Sequence, residues 1–244
     1  MSAASGSCSL VLPRGCDPLV AVSSGDDPLN PWFSWSYLTR NWDTISAALG
    51  EHALLTLISV VIAAIIAVPL GVLAARSRLL SATILSVSGV MYTIPSLAVF
   101  ALVAPFMGLS QSTVVVGLVM YALLIMVRAT LTGLRQVPSE VIDAAGGMGY
   151  GRAQLLARVE LPLALPSIMT GLRIATVSTV ALVTVGAVVG HGGLGGLILI
   201  GFRNNFYKPQ ILTATILCVL LALVCELALS LLSRTLTPWT RRRT

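Results

Sequence analysis

Five long apolar stretches, near 53–75, 84–107, 112–133, 163–189 and 210–233, constrain this chain more than any other feature. An α-helix needs about 20 apolar residues to cross the hydrocarbon core of a bilayer. Apolar residues make up 56% of the 244 and charged ones only 10%, against roughly 25% charged in ordinary soluble domains. Too little polar sequence remains for a water-facing shell, so these runs must face lipid. The expected fold is an all-α, polytopic transmembrane bundle of about five spans. Pro95 and Pro105 fall within the second stretch, where proline is tolerated if neighbouring helices satisfy the freed carbonyls.

The net charge of +6 does not imply a nucleic-acid partner. A basic footprint of that kind clusters on one face with motif or aromatic support, whereas these positive charges sit in short connectors and in the last residues. They read as topology determinants. Five spans put the termini on opposite sides, and the Lys/Arg bias sets the orientation. With the C-terminus inside, the inner segments hold Arg76, Arg78, Arg135, Arg152, Arg158, Arg234, Arg241, Arg242 and Arg243. The outer ones hold Arg14, Arg40, Arg203 and Lys208. The expected placement is a bacterial inner membrane, N-terminus outside and C-terminus cytoplasmic.

Three parts follow: an extracytoplasmic tail over 1–50, a transmembrane domain over 51–234 and a basic cytoplasmic tail over 235–244. Residues 1–25 lack a basic leading segment and a sustained apolar run, so no cleaved signal peptide is expected. Trp32, Trp35 and Trp42 suit an aromatic belt at the outer interface. Cys8 and Cys16 can pair if that tail is extracytoplasmic. Cys218 and Cys225 share a helix face and read as buried apolar packing.

The connector 135–162 separates the third and fourth spans. Pro138 suits the first turn of a helix and Ser139 can cap it, with Ala144 and Ala145 small enough for close approach to a partner. Gly146, Gly147, Gly149 and Gly151 then break that helix. A second helix over 152–160 places Leu155, Leu156 and Val159 on one side, and Leu161-Pro162 marks a bend into the next span. A surface-lying amphipathic connector would look similar.

The spacing is more specific than that. Asp143-Ala144-Ala145, three residues, Gly149, nine residues and Val159-Glu160-Leu161-Pro162 resemble the E-A-A-x3-G-x9-I-x-L-P loop of bacterial ABC importer permeases. Asp143 replaces the usual glutamate and Val159 the usual isoleucine. Further segments resemble the glycine betaine/choline/carnitine osmoprotectant branch: Thr93-Ile94-Pro95-Ser96-Leu97-Ala98, Val127-Arg128-Ala129-Thr130, Pro162 through Pro166 with Gly171-Leu172-Arg173, and Gly190-His191-Gly192-Gly193-Leu194-Gly195. The resemblance covers about 50–233. It implies an ABC type I importer fold like that of methionine permeases. It also implies ABC ATPase subunits, an extracytoplasmic substrate-binding protein, a second permease (self or sister) and membrane lipid as partners.

In that family the loop presses into a groove of the ATPase, which makes Glu140, Asp143, Ala144, Ala145, Gly149, Arg152, Leu161 and Pro162 the expected coupling residues. No Walker A glycine loop ending in Gly-Lys-Ser/Thr is present, and no binding-protein domain follows residue 233. The chain is therefore expected to be no enzyme and to hold no cofactor, with ATP and magnesium on the partner ATPase. The expected cargo is a quaternary-ammonium osmoprotectant of the glycine betaine, choline, carnitine or proline betaine type. An amino acid or other small zwitterion on the same scaffold is one alternative, and a passive channel or assembly factor another.

Ionisable residues within spans are functional candidates by default. Arg128 and Arg173 are expected to snorkel or to pair with Glu140, Asp143 or Glu160. Glu226 is expected to pair with an arginine, and reaches Arg234 only if the helix end bends. His191 sits among glycines, so 186–201 reads as a re-entrant or gate segment that includes Gly193. No second ligand lies near His191, so no metal is expected. Tyr92 and Tyr121 offer aromatic faces to a quaternary ammonium, and with Pro95 complete the pathway and gate candidates.

Overall fold

A computed structural model describes residues 30–239. Cys8, Cys16, most of the expected N-terminal tail and the closing arginines lie outside the described residues. Every regular element within them is helical: α1 (Trp35–Arg40), α2 (Trp42–Ala75), α3 (Arg78–Thr93), α4 (Ser96–Met107), α5 (Gln111–Arg135), α6 (Ser139–Gly147), α7 (Arg152–Leu155), α8 (Leu161–Gly186), α9 (Leu194–Arg203) and α10 (Lys208–Leu236). Four helical segments are long and apolar enough to cross a membrane: Trp42–Ala75, Gln111–Arg135, Arg152–Val189 and Lys208–Leu236. Together α3 and α4 are long and apolar enough to make a fifth, broken span when the bent pair is taken as one.

That fifth span is not the continuous helix expected over 84–107. Between α3 and α4 the chain bends by 93°. Pro95 follows the bend with φ −56° and ψ 136°, and Ile94 is extended. Proline disfavours helical backbone in the residue before it, and its ring removes a donor. Pro105, by contrast, lies inside α4 without ending it.

Small side chains set the centre of the bundle. Ala63, Ala67 and Gly71 recur every four residues along α2 and are buried there, so one stripe faces α5. A Cβ built on Gly71 would lie 2.6 Å from the Cβ of Thr130, which shows how closely α2 and α5 approach. Close approach of this kind lets helices pack in lipid, where water gives no hydrophobic drive between them. Ala122, Met126 and Val127 of α5 and Ala175 of α8 complete that central cluster. Helix α5 thus lies between α2 and α8.

Several boundaries move from their expected places. The tail expected to reach residue 50 gives way at Trp42, because Ile45 is already fully buried against Leu194 and Ala214. Leu161-Pro162 marks no bend. A π-helical turn over Leu156–Glu160 joins α7 to α8 in one continuous span, and the Leu161 N–H reaches the Leu156 carbonyl. Proline removes the i→i−4 hydrogen bond and crowds that carbonyl; the wider π turn just before Pro162 makes room for it. Cys218 and Cys225 are half-buried rather than buried.

Candidate functional site

The loop between α5 and α8 juts from one end of the bundle, here called the loop end. Helix α6 begins after Pro138, so Ser139 opens it rather than capping it. It continues through Gly146 and Gly147, and the chain turns only at Gly149, whose φ of +85° lies in the left-handed region. Glycine alone adopts that conformation without penalty. The Tyr150 N–H donates to the Ala145 carbonyl at 3.2 Å and seals the turn.

The two small residues differ in placement: Ala144 is exposed, while Ala145 is 2% exposed and packed inside the loop. Glu140, Asp143, Ala144, Gly149 and Arg152 are exposed, with Val141 and Met148 beside them. None of the loop acids forms an ion pair with a described residue. Leu161 and Pro162 are half-buried at the base. The result is a mixed polar and apolar protrusion around a small-residue centre, a surface that can seat in a groove.

Near the middle of α5 the broken span meets it. The phenol of Tyr121, 7% exposed, donates to the Ile94 carbonyl freed at the break. Tyr92 packs edge-on against it, ring centroids 5.6 Å apart, and is itself 44% exposed. Pro95, Tyr92 and Tyr121 are therefore one structural unit. Phe100 of α4 then closes on Gly117 of α5, where an added Cβ would meet its ring at 2.5 Å.

The far end is organised by a glycine turn. Helix α8 gives way to a short 3₁₀ turn, Ala187–Val189, then Gly190 with φ +90° and Gly193 with φ +50°. The expected re-entrant segment over 186–201 thus resolves into a turn followed by α9, which packs on α2 and α10. A Cβ on Gly193 would lie 2.6 Å from the Ala48 carbonyl and 2.7 Å from His52. His191 Nδ1 lies 3.2 Å from Glu51 Oε1, and His52 Nε2 lies 3.0 Å from the Val180 carbonyl. His191 thus binds the turn to α2, while His52 binds α2 to α8. No group of three or more potential metal ligands occurs among the described residues.

Glu226 pairs with an arginine, as expected, but the arginines do not pair with the loop acids. Arg173 of α8 binds Glu226 of α10 through both Nε, at 2.9 Å, and Nη2. Neither the loop acids nor Arg234 takes part. Arg128 is exposed on α5 and pairs with no loop acid. The Arg173–Glu226 pair opens on a groove of about 560 Å³ walled by Ile174, Val177, Val219 and Leu223.

Residues 67–242 match the family described as the binding-protein-dependent transport system inner membrane component. The chain belongs to this family. The permease is 36% identical over 208 residues to the glycine betaine/carnitine/choline transport system permease protein OpuCD of Bacillus subtilis, covering 85% of this chain and 91% of that one. It is also 36% identical over 207 residues to the osmoprotectant import permease protein OsmW of Salmonella typhimurium, covering 83% and 96%. Its fold matches an inward-facing structure of the MetNI methionine ABC transporter, with TM-score 0.75 at 22% identity over 81% of this chain and 98% of that one. The expected type I importer fold is therefore present.

Sequence reasoning about the permease missed Glu51 and His52. Both sit at the start of a long apolar run and look like its polar edge. Only the packing of the 190–193 turn and of α8 against α2 assigns them a task. The Ile94 carbonyl was missed too, although Pro95 signals that the residue before it leaves the helix.

Proposed function

We propose that this permease forms the translocation pathway for a small quaternary-ammonium osmoprotectant of the glycine betaine, choline or carnitine type. The observation that carries the reading is similarity over most of the chain to relatives named for such cargo. An extracytoplasmic binding protein delivers the cargo at the far end. Partner ATPase subunits, which hold ATP and magnesium, engage the 135–162 loop. The N-terminus then lies outside and the C-terminus in the cytoplasm.

The chain's own residues supply coupling rather than chemistry. Glu140, Asp143 and Arg152 set the register of the docked loop, since rim charges govern specificity more than affinity. Ala144 permits close approach, and Gly149 holds the turn. The π turn and Pro162 continue the loop into α8 without a flexible joint, so displacement of the loop moves α8 as a lever. The bent α3–α4 span and the glycine turn at 190–193 are the places where the wall can rearrange. A second permease, identical or sister, closes the pathway.

Uptake of labelled glycine betaine, choline and carnitine after a hyperosmotic shift tests this reading, in cells with and without the gene and lacking other carriers. Loss on deletion and recovery with the intact gene are expected. Unchanged uptake of all three would overturn the cargo class and move it to amino acids or other small zwitterions. Uptake that survives ATP depletion would overturn coupling.

A further inference from the structure

At the loop end, the turn from α2 to α3 borders a cavity of about 690 Å³ lined by Arg76, Ser77, Arg78, Ser81 and Arg135, with alanines between them. Every charged group on its wall is a guanidinium. Arg135 Nη2 donates to Ser81 Oγ at 2.9 Å and fastens the end of α5 to the first turn of α3. The side chains of Arg76 and Arg78 are exposed, and neither forms an ion pair with a described residue. Glu160 shares a neighbouring cavity with Arg76 and Arg152 but is not paired with either.

Three like charges around one cavity repel one another, and an anion relieves that repulsion. A guanidinium presents a planar fork that matches phosphate oxygens two at a time. The cavity also sits at three helix ends: Ala75 is the last residue of α2, Arg78 the first of α3 and Arg135 the last of α5, and the ends of spanning helices come to the headgroup region. Phospholipid phosphates lie at that level, and basic pockets between spans are suited to anionic headgroups. The apolar neighbours match a lipid rather than a free ion. Leu73, Leu79 and Leu80 flank the arginines and are 40%, 77% and 37% exposed, which leaves an apolar track for acyl chains beside the charged cavity.

We propose that this cavity is a binding site for the phosphate of an anionic phospholipid, with its acyl chains against the exposed leucines of α2 and α3. Bound there, the lipid braces α3, the first half of the broken span, against the helix end from which the 135–162 loop departs. The site is independent of the cargo, and its test reads lipid rather than transport.

The permease with its partner subunits, reconstituted in nanodiscs of phosphatidylcholine doped with phosphatidylglycerol, gives the measurement. Retained lipid is quantified after mild detergent exchange. The wild type should retain phosphatidylglycerol over phosphatidylcholine. Arg78→Gln should lower that retention about five-fold, the usual worth of one basic residue near an anionic leaflet. A second measurement needs no variant: retention by the wild type should fall as salt is raised, because exposed charges are screened. Equal retention of both lipids, no change in Arg78→Gln, or salt-insensitive retention would each overturn the proposal. So would displacement of the lipid by excess inorganic phosphate, which would assign the cavity to a soluble anion. Unchanged lipid with loss of the ATPase subunit in Arg78→Gln would assign the arginines to the subunit interface instead.

Discussion

The phenol of Tyr121 in α5 donates its hydrogen to the main-chain carbonyl of Ile94, the residue at which the α3–α4 span breaks. A carbonyl released from a helix at membrane depth has no water to turn to, and each such group is costly unless protein satisfies it. One side chain thus makes a 93° bend tolerable. Tyr121→Phe keeps the ring and its contact with Tyr92 but leaves the carbonyl unpaired. It should cost about 1–3 kcal/mol, read as a lower thermal midpoint in detergent, while Tyr92→Phe should change stability little. Equal effects would mean that the ring contact, not the hydrogen bond, supports the bend.

Arg173 and Glu226 tie α8 to α10 beside a mostly apolar groove. Removing one partner strands a charge within a span. Arg173→Met and Glu226→Gln should each reduce the amount of folded permease recovered from the membrane. The double variant should recover much of the loss, since paired charges are often replaceable together. Additive losses, measured by fluorescence-detected size exclusion, would show that the two residues act separately.

Ala144 and Ala145 predict opposite defects. Ala144 is exposed on the loop, so Ala144→Glu should abolish uptake and transport-stimulated ATP hydrolysis without lowering thermal stability. Ala145 is 2% exposed, so Ala145→Glu buries a charge and should lower the thermal midpoint first. Normal uptake by Ala144→Glu would argue against docking through that face.

Gly193 has no room for a methyl group and a φ of +50°. Gly193→Ala should push the 190–193 turn away from Ala48 and His52 at a cost of about 1–3 kcal/mol, in the range of overpacking. Cysteine accessibility at position 191 should rise in that background. Gly196, with open space around it, provides the control, and Gly196→Ala should be silent.

Burial, reinforced by neighbouring Tyr207, raises the pKa of the Tyr37 phenol above its ordinary 10.0. Below that value both folded and unfolded chains keep the proton, and this group makes no pH-dependent contribution. Above it the unfolded chain loses the proton first, so stability falls as pH rises. Unfolding midpoints measured from pH 8 upward should decline beyond about 10. Tyr37→Phe should flatten part of that decline; an unchanged decline would remove Tyr37 as its cause.

Membrane character, about five spans and a loop between the third and fourth were all legible from order along the chain. Four apolar runs became four spanning segments because a bilayer demands both length and apolarity, which are local properties. Asp143, Ala144, Ala145 and Gly149 were found through spacing, and Gly149 carries the positive φ that a glycine in that place allows. Proline gave a weaker signal. Pro95 marks a sharp break while Pro105 does not, although either could interrupt a helix, and the difference lies in what surrounds each.

Residue order alone determined that this chain lives in lipid, crosses it about five times and presents a loop between its third and fourth spans. Tertiary structure decided the rest. It chose Glu226 over the loop acids as the partner of Arg173, placed Ala145 inside and Ala144 outside, and set Glu51 against the 190–193 turn and His52 against α8. The reason is physical: hydropathy and helix-breaking act through nearest neighbours, whereas a pairing or a burial depends on which faces of distant helices meet. Ala63, Ala67 and Gly71 bring α2 against α5, and only that approach fixes where the other side chains can go.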